Sequence, residues 1–259
     1  MEFNRLRFAA ICEEEGKRLE GETDGIGTYR EKRLHRILKR FASDDENTHE
    51  IPVGKYVADV RNTEGITEIQ TKSLRLLLPK LRYYLEETDV PVTVIHPILA
   101  EKTLIRMDRE TGEVLYRKRS PKKGRAEDLL PELYGLSELL PNPRIRVRVL
   151  LIQAEEFRFS ERVRYRREGA YDSELFPRAL MGEADFCDRA SFRRFLPTEG
   201  DSFFADEYGA FVKLKKRKLY SALNFLCAIG LLRREKEGKR YRYFVIRDSE
   251  SDDSARKRK

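Results

Sequence analysis

Gly54–Lys72, GKYVADVRNTEGITEIQTK, is the stretch on which the reading of the fold turns. Tyr56-Val57-Ala58-Asp59-Val60 has the apolar, β-branched character of a strand, and Asn62-Thr63-Glu64-Gly65 supplies hairpin turn residues. A second strand follows, from Ile66 to Lys72. Side chains alternate faces along a strand, so Glu68, Gln70 and Lys72 share one face while Thr67, Ile69 and Thr71 share the other. Pairing the two strands across the turn sets Asp59 beside Gln70 or Glu68. Carboxylate and amide oxygens are hard ligands suited to Mg²⁺, which keeps several of its waters when bound. An ammonium beside them can hold the attacking water and offset charge that builds on a phosphate.

The flanking sequence reads as helix, three strands, helix, strand. Thr28 caps a helix through about Phe41, with Leu34, Ile37, Leu38 and Phe41 at apolar spacing and Glu31 in its first turn. Strands are expected near His49–Val53, Lys55–Val60 and Ile66–Lys72. Ser73 then caps a second helix through Glu87, whose Leu74, Leu77, Leu78, Leu81 and Leu85 repeat at helical intervals despite Pro79. Pro91–Ile98, PVTVIHPI, suits a buried parallel strand.

That order, over roughly Gly25 to Met107, together with Asp59 and Gln70-Thr71-Lys72, resembles the PD-(D/E)XK superfamily, also called the restriction-endonuclease-like fold. The resemblance implies an α/β domain whose mixed sheet is flanked by helices. It also implies a Mg²⁺-dependent DNA endonuclease, with Mn²⁺ as a substitute ion, that hydrolyses phosphodiester bonds. Asp59 matches the superfamily's aspartate, Gln70 and Lys72 its acidic-x-lysine element in a glutamine form, and Glu31 its helical glutamate. The implied catalytic set is Lys72, Asp59, Gln70 and Glu31; the implied metal ligands are Asp59, Gln70, Glu31 and Glu68. Gln70 is the departure, because a neutral amide binds a divalent ion more weakly than a carboxylate and leaves Glu31 or Glu68 to supply charge. The competing reading of Asp59, Glu68 and Lys72 is a solvated salt-bridge face on an ordinary half-buried sheet. His96, in the apolar strand, reads as a satisfied core residue.

At 259 residues the chain can bury a substantial core and has room for two domains. Charged residues make up 38% and hydrophobic ones 40%, the balance of a soluble protein; no apolar run reaches membrane-span length, and the cytoplasm is the expected compartment. Cys12, Cys187 and Cys227 are widely spaced, which argues against a zinc site and against a disulfide framework.

The net charge of +8 is unevenly spread. Arg117–Arg125, RKRSPKKGR, holds six basic residues in nine and is expected to form a loop after a hairpin over Thr103–Tyr116. Its Arg117, Lys118, Arg119, Lys122 and Lys123 are candidate phosphate contacts. Ala126–Leu140 suggests a helix running past Pro131, and Arg144–Ile152 a strand in which Arg144, Arg146 and Arg148 alternate with Ile145, Val147 and Val149; Lys213–Lys218, KLKKRK, forms a third basic cluster. A solvated face is the commonest fate of such runs, but three in one chain favour a polyanionic partner, DNA first among them.

From Pro197 the pattern changes. Asp201–Phe211 reads as a short helix, Lys215–Ile229 as a longer one with Leu219, Ala222, Leu223, Leu226 and Cys227 on its apolar face, and Gly230 ends it. Leu231–Arg234 and Tyr241–Ile246 read as strands around Glu237-Gly238-Lys239. This resembles a winged helix-turn-helix module, which implies an outward face presenting Lys216, Arg217, Tyr220 and Asn224 to phosphates or base edges. The expected organisation is therefore a nuclease-like domain over residues 1–152, a connecting region over 153–196, a winged-helix-like α+β domain over 197–247 and a disordered tail over 248–259. In the connector, FRFSERVRYRR interleaves aromatics with arginines suited to stacking on bases or to packing across a domain boundary. A noncatalytic DNA-binding regulator or accessory protein is the second reading, an interaction module in a homo-oligomer or larger complex the third.

Overall fold

Leu34, Ile37, Leu38 and Phe41 recur at i, i+3, i+4 and i+7, and all four are buried on one face of a helix over Lys32–Ala42. The computed structural model that contains this helix describes residues 2–21, 32–108, 111–160 and 172–247. The Thr28 cap expected for this helix, the serine-arginine stretch of the connector from Glu161 onward and the tail from Asp248 lie outside the described residues. The chain is mixed α/β and divides into two compact units. The first comprises Met1–Thr71, Val94–Arg125 and Arg148–Ala184; the second comprises Lys72–Thr93, Ala126–Val147 and Asp185–Lys259.

In the first unit, α1 (Glu2–Gly21) and α2 (Lys32–Ala42) precede β1 (His49–Val53), β2 (Tyr56–Asn62) and β3 (Gly65–Ile69). The strands β4 (Val92–Asp108) and β6 (Ile145–Ser160) each begin in the second unit and continue in the first. With β5 (Val114–Arg119) and β7 (Asp172–Phe186) they form a seven-stranded sheet of order β1-β2-β3-β4-β6-β7, β5 pairing with β4. The β2–β3 hairpin forms where the turn residues stand. Asn62 opposes Gly65, Val60 opposes Thr67, and the Asn62 side chain accepts the Glu64 amide at 3.0 Å. The core gathers Phe8, Ile11 and Cys12 from α1, the apolar stripe of α2, and Ile69, Ile95, Leu150, Ile152 and Leu180 from the sheet. Each such large side chain contributes about 1.5–3 kcal/mol on burial. Glu15, one turn beyond Cys12, is also buried, and it is held by Arg36 at 2.6 Å and Arg40 at 3.0 Å from α2. Removing a partner of a buried carboxylate is costly, so this clasp fixes the two helices against each other.

Two expectations in the second unit are corrected by proline. The helix expected from Ser73 to Glu87 divides into a 3-10 turn over Leu74–Leu77 and α3 (Leu78–Glu87), and Ser73 makes no side-chain cap. Pro79 has no N–H to give and is tolerated in a helix only in its first turn. Pro131 has the same effect: Ala126–Leu140, expected as one helix, is a 3-10 turn over Ala126–Leu129, a single α-turn α4 (Leu130–Leu133) and another 3-10 turn over Tyr134–Leu136.

Beyond these lie β8 (Ser202–Phe204), α5 (Ala205–Val212), α6 (Lys216–Ala228), β9 (Leu232–Glu237) and β10 (Arg240–Val245). The strands form an antiparallel sheet of order β8-β10-β9. The first residues of the expected 201–211 helix are thus a short strand, because Phe203 pairs with Tyr243 and stacks on Tyr208 at 5.1 Å. Leu219, Ala222, Leu223 and Leu226 are buried as expected, joined by Phe225. Gly209 permits the close approach of α5 and α6, since a Cβ there would stand 2.9 Å from a Leu219 methyl and 3.0 Å from the Leu214 carbonyl. Gly238 turns β9 into β10 at φ 61°.

Residues 153–196, read from sequence as a connector, contain the second half of β6 and all of β7. Arg117, Lys118 and Arg119, expected on a loop, belong to β5 and pair with Ile105, Leu104 and Thr103. Among the described residues no helix is long and apolar enough to cross a membrane.

Candidate acidic site and basic faces

Asp59 sits on β2 just before the hairpin ladder, with 19% of its side chain exposed. One carboxylate oxygen, Oδ2, accepts the backbone amide of Ile69 at 2.7 Å. The other, Oδ1, lies 3.0 Å from Nε2 of His35, on α2. The carboxylate therefore reaches the residue that separates Glu68 from Gln70, as the spacing leads one to expect. Gln70 is held by its backbone at the end of β3. Its N–H donates to the Ile95 carbonyl at 3.0 Å, and its own carbonyl accepts from Nδ1 of the buried His96 at 2.7 Å. That contact requires the proton of His96 on Nδ1.

Glu68 is 1% exposed. It lies in the interior rather than on a solvated face with Lys72, and the strand expected through Lys72 ends at Ile69. Lys72 is exposed and falls in the second unit, one residue past Thr71. Glu31 lies outside the described residues. Among the described residues no group of three or more His, Cys, Asp or Glu side chains is placed to hold a metal ion.

Around Asp59 the electrostatics extend to β1. Lys39 on α2 bonds Glu50 at 2.6 Å, and that hydrogen bond and charge hold the Glu50 carboxyl below its ordinary range, with Asp59 pushing the other way. His35 and Lys39 are one helical turn apart, so α2 lays a histidine on Asp59 and an ammonium on Glu50 from the same face. Sequence reasoning missed His35. The signal was present: it stands four residues after Glu31, the spacing of one helical turn.

The basic clusters have three different environments. On β5, Arg117 pairs with Glu155 and Arg119 with Glu101, while Lys123 lies 3.7 Å from Glu101. Arg178 of β7 also binds Glu155, at 2.6 Å. The arginines of β5 keep about two thirds of their side chains exposed, at 64% and 65%, although Glu155 itself is buried. Lys118 and Lys122 are exposed as well. Arg144, read as part of a guanidinium row, instead donates to the carbonyls of Thr88 and Leu85 and caps the C-terminal end of α3. On α6, Lys216, Arg217 and Tyr220 are exposed. Asn224 is half-buried, and its carbonyl accepts from Arg234 of β9 at 3.2 Å, which ties α6 to the hairpin.

Comparison with known proteins places the chain by family. The sequence pattern of a domain of unknown function, DUF8091, matches residues 32–184, from the start of α2 into the last residues of β7. The chain belongs to the DUF8091 family. The stretch that defines the family thus contains His35, Asp59, Gln70 and β5. An uncharacterized protein of Treponema pallidum (strain Nichols) is 30% identical over 154 residues, 58% of this chain. The chain spans 60% of the length of that relative. No solved structure matches.

Proposed function

We propose that this DUF8091 chain is a metal-dependent DNA endonuclease of the restriction-endonuclease-like kind, joined to a winged-helix module that grips DNA. The observation that carries the reading is the bond from the Ile69 amide to the Asp59 carboxylate at 2.7 Å, which ties the aspartate to the strand end bearing Gln70. The element order α2-β1-β2-β3-α3-β4, with β1 to β4 adjacent in the sheet, supports it. For the module, the order β8-α5-α6-β9-β10 around a three-stranded antiparallel sheet supports the winged-helix reading.

The donor set suits Mg²⁺ in kind: Asp59, whose side chain keeps 19% of its surface exposed, and the Gln70 side chain offer hard oxygen atoms. With one partly exposed carboxylate among the described ligands, Glu31 is the residue that completes the charge, and Glu68 supports it from the interior. When bound, the ion supplies Lewis-acid polarisation of a phosphate and a more acidic water. The chain's own residues do the rest. Asp59 and Gln70 fix the position of the ligands, and Lys72 orients the attacking water and offsets charge on the phosphate as the P–O bond breaks. The cations on α6 and β5 hold the flanking phosphates.

Cleavage of supercoiled plasmid and branched DNA in Mg²⁺, Mn²⁺ or EDTA, for wild type beside Asp59→Ala, tests this. Metal-dependent cleavage lost in the variant is expected. A second reading, a noncatalytic DNA-binding protein, is favoured by one observation: both Asp59 oxygens already have protein partners. It requires salt-sensitive binding that is indifferent to EDTA and yields no product.

A further inference from the structure

A groove of about 560 Å³ opens between α6 and the β9–β10 hairpin. It falls within the ~300–1,000 Å³ range of clefts that enclose small ligands. Leu219 and Tyr243, both nearly buried, form its floor. Tyr220 from α6 and Tyr241 from β10 line it while keeping 55% and 48% of their surface exposed. Lys216 and Lys239 stand at its margins. Arg240, also on the margin, pairs with Asp206 and lies 4.1 Å from the Phe204 ring, so its guanidinium is already engaged.

Exposed aromatics scattered singly over a surface need no explanation. Two tyrosines converging on one apolar-floored groove, flanked by lysines, have a specific complement. Intact duplex DNA hides the faces of its bases in the stack and offers a protein only edges, sugars and phosphates. A single strand offers base faces, which stack on aromatic rings without regard to sequence, and phosphates for the neighbouring cations. Arg234, 5.3 Å from the Tyr241 ring centroid, stiffens that ring from the strand side.

We infer that the groove between α6 and the hairpin binds an unstacked base of single-stranded DNA, so that the substrate carries a tail, flap or branch beside its duplex. This rests on the DNA reading above and narrows its substrate class. Lys216 and Lys239 hold the phosphates on either side of the base, and Tyr220 and Tyr241 take its faces.

The test is binding by the full chain in EDTA, measured by fluorescence anisotropy, to a blunt duplex and to the same duplex bearing a single-stranded tail. A 2-aminopurine placed in the tail reports stacking directly through quenching. The expected result is about tenfold tighter binding of the tailed duplex, with quenching on binding. Tyr241→Ala should bring the ratio of the two affinities close to one, and Tyr241→Phe, which keeps the ring, should restore it. Equal affinity for the two DNAs, with salt-sensitive binding of both and no quenching, overturns the inference and leaves the DNA reading standing. A preference for the tail that survives Tyr241→Ala undiminished overturns the assignment to this groove. Binding to neither DNA at low salt overturns the DNA reading itself, and a protein becomes the occupant to seek. Should Tyr241→Ala fail to fold, Tyr220→Ala, on the opposite wall of the groove, decides in its place: quenching and preference that survive it undiminished overturn the assignment.

Discussion

The charged groups around Asp59 and at the α1–α2 contact are paired at short range, while those on α6 stand in solvent. Asp59 is engaged on both oxygens, Glu50 by Lys39, and Glu15 by two arginines from within the core. Lys216 and Arg217 on α6 are exposed. The contrast separates two kinds of work. Chemistry needs groups held within a fraction of an ångström of a productive geometry, which pairing and burial provide. Grip on a polyanion needs reach and displaceable counterions, which burial would remove. Substitutions in the two regions should therefore move different observables.

The largest expected effect is at Lys72. Lys72→Ala should lower metal-dependent cleavage about 10²–10³-fold, while affinity for DNA in EDTA changes by no more than about twofold. Cleavage that survives the change removes Lys72 from the mechanism, and affinity that falls in parallel with cleavage makes Lys72 a phosphate contact rather than a catalytic group. Next is His35. Its Nε2 holds Asp59 Oδ1 at 3.0 Å, so His35→Ala removes the contact that fixes the second carboxylate oxygen, while the Ile69 amide still holds the first. Groups that orient a metal-binding side chain are worth about 10–100-fold. The expected loss is of that size, in turnover rather than in affinity for DNA, with His35→Gln recovering part of it because an amide can still donate. A change confined to thermal stability, with cleavage intact, would make the contact merely structural.

On the basic side, Lys216→Ala combined with Arg217→Ala should reduce the slope of log affinity against log salt by about 0.9 for each phosphate the protein no longer neutralises, and leave cleavage at saturating DNA unaltered. Arg119→Ala should reduce the slope less, because Arg119 must first leave Glu101. Arg144→Ala should not reduce it at all. Instead it should lower stability by about 1.5–3 kcal/mol, the worth of hydrogen bonds made by a charged group, since its guanidinium caps α3. Thermal melts beside salt titrations separate these three outcomes.

How much of this was legible in the sequence depended on how local the determinants are. The β2–β3 hairpin and the stripes of α2 and α6 are written in turn residues and in a period of 3.6, and the fold has them close to where those patterns put them. The division of Ser73–Glu87 at Pro79 was legible in principle, because proline's demand for the first helical turn is a local rule that outweighs the leucine repeat. Of β6 the first half was legible, because Ile145, Val147 and Val149 alternate with arginines and are buried on one face. Its continuation past Ile152 and β7 were not, since aromatics and charged residues such as Glu155, Glu156 and Arg178 interrupt the alternation there, and those charges are paired only in the folded sheet. The site divides in the same way. Asp59 falls within the strand its pattern predicts, but β3 ends at Ile69, before Gln70, and the His35 contact depends on how α2 packs, which no strand pattern encodes.

Asn224 should show the smallest effect, and it tests how rigidly α6 and the hairpin form one surface. The sequence suggests a side chain for base edges; in the fold its carbonyl is occupied by Arg234. Asn224→Ala therefore should not relax any base preference. What it removes is a partly exposed bond between helix and hairpin, worth roughly 0–1 kcal/mol, so affinity should change by about twofold or less. The change should appear on tailed DNA more than on blunt duplex, because Arg234 also stands over the Tyr241 ring and loses one of its anchors. A large loss of discrimination among duplex sequences would instead return Asn224 to the bases and would require the Arg234 bond to open when DNA binds.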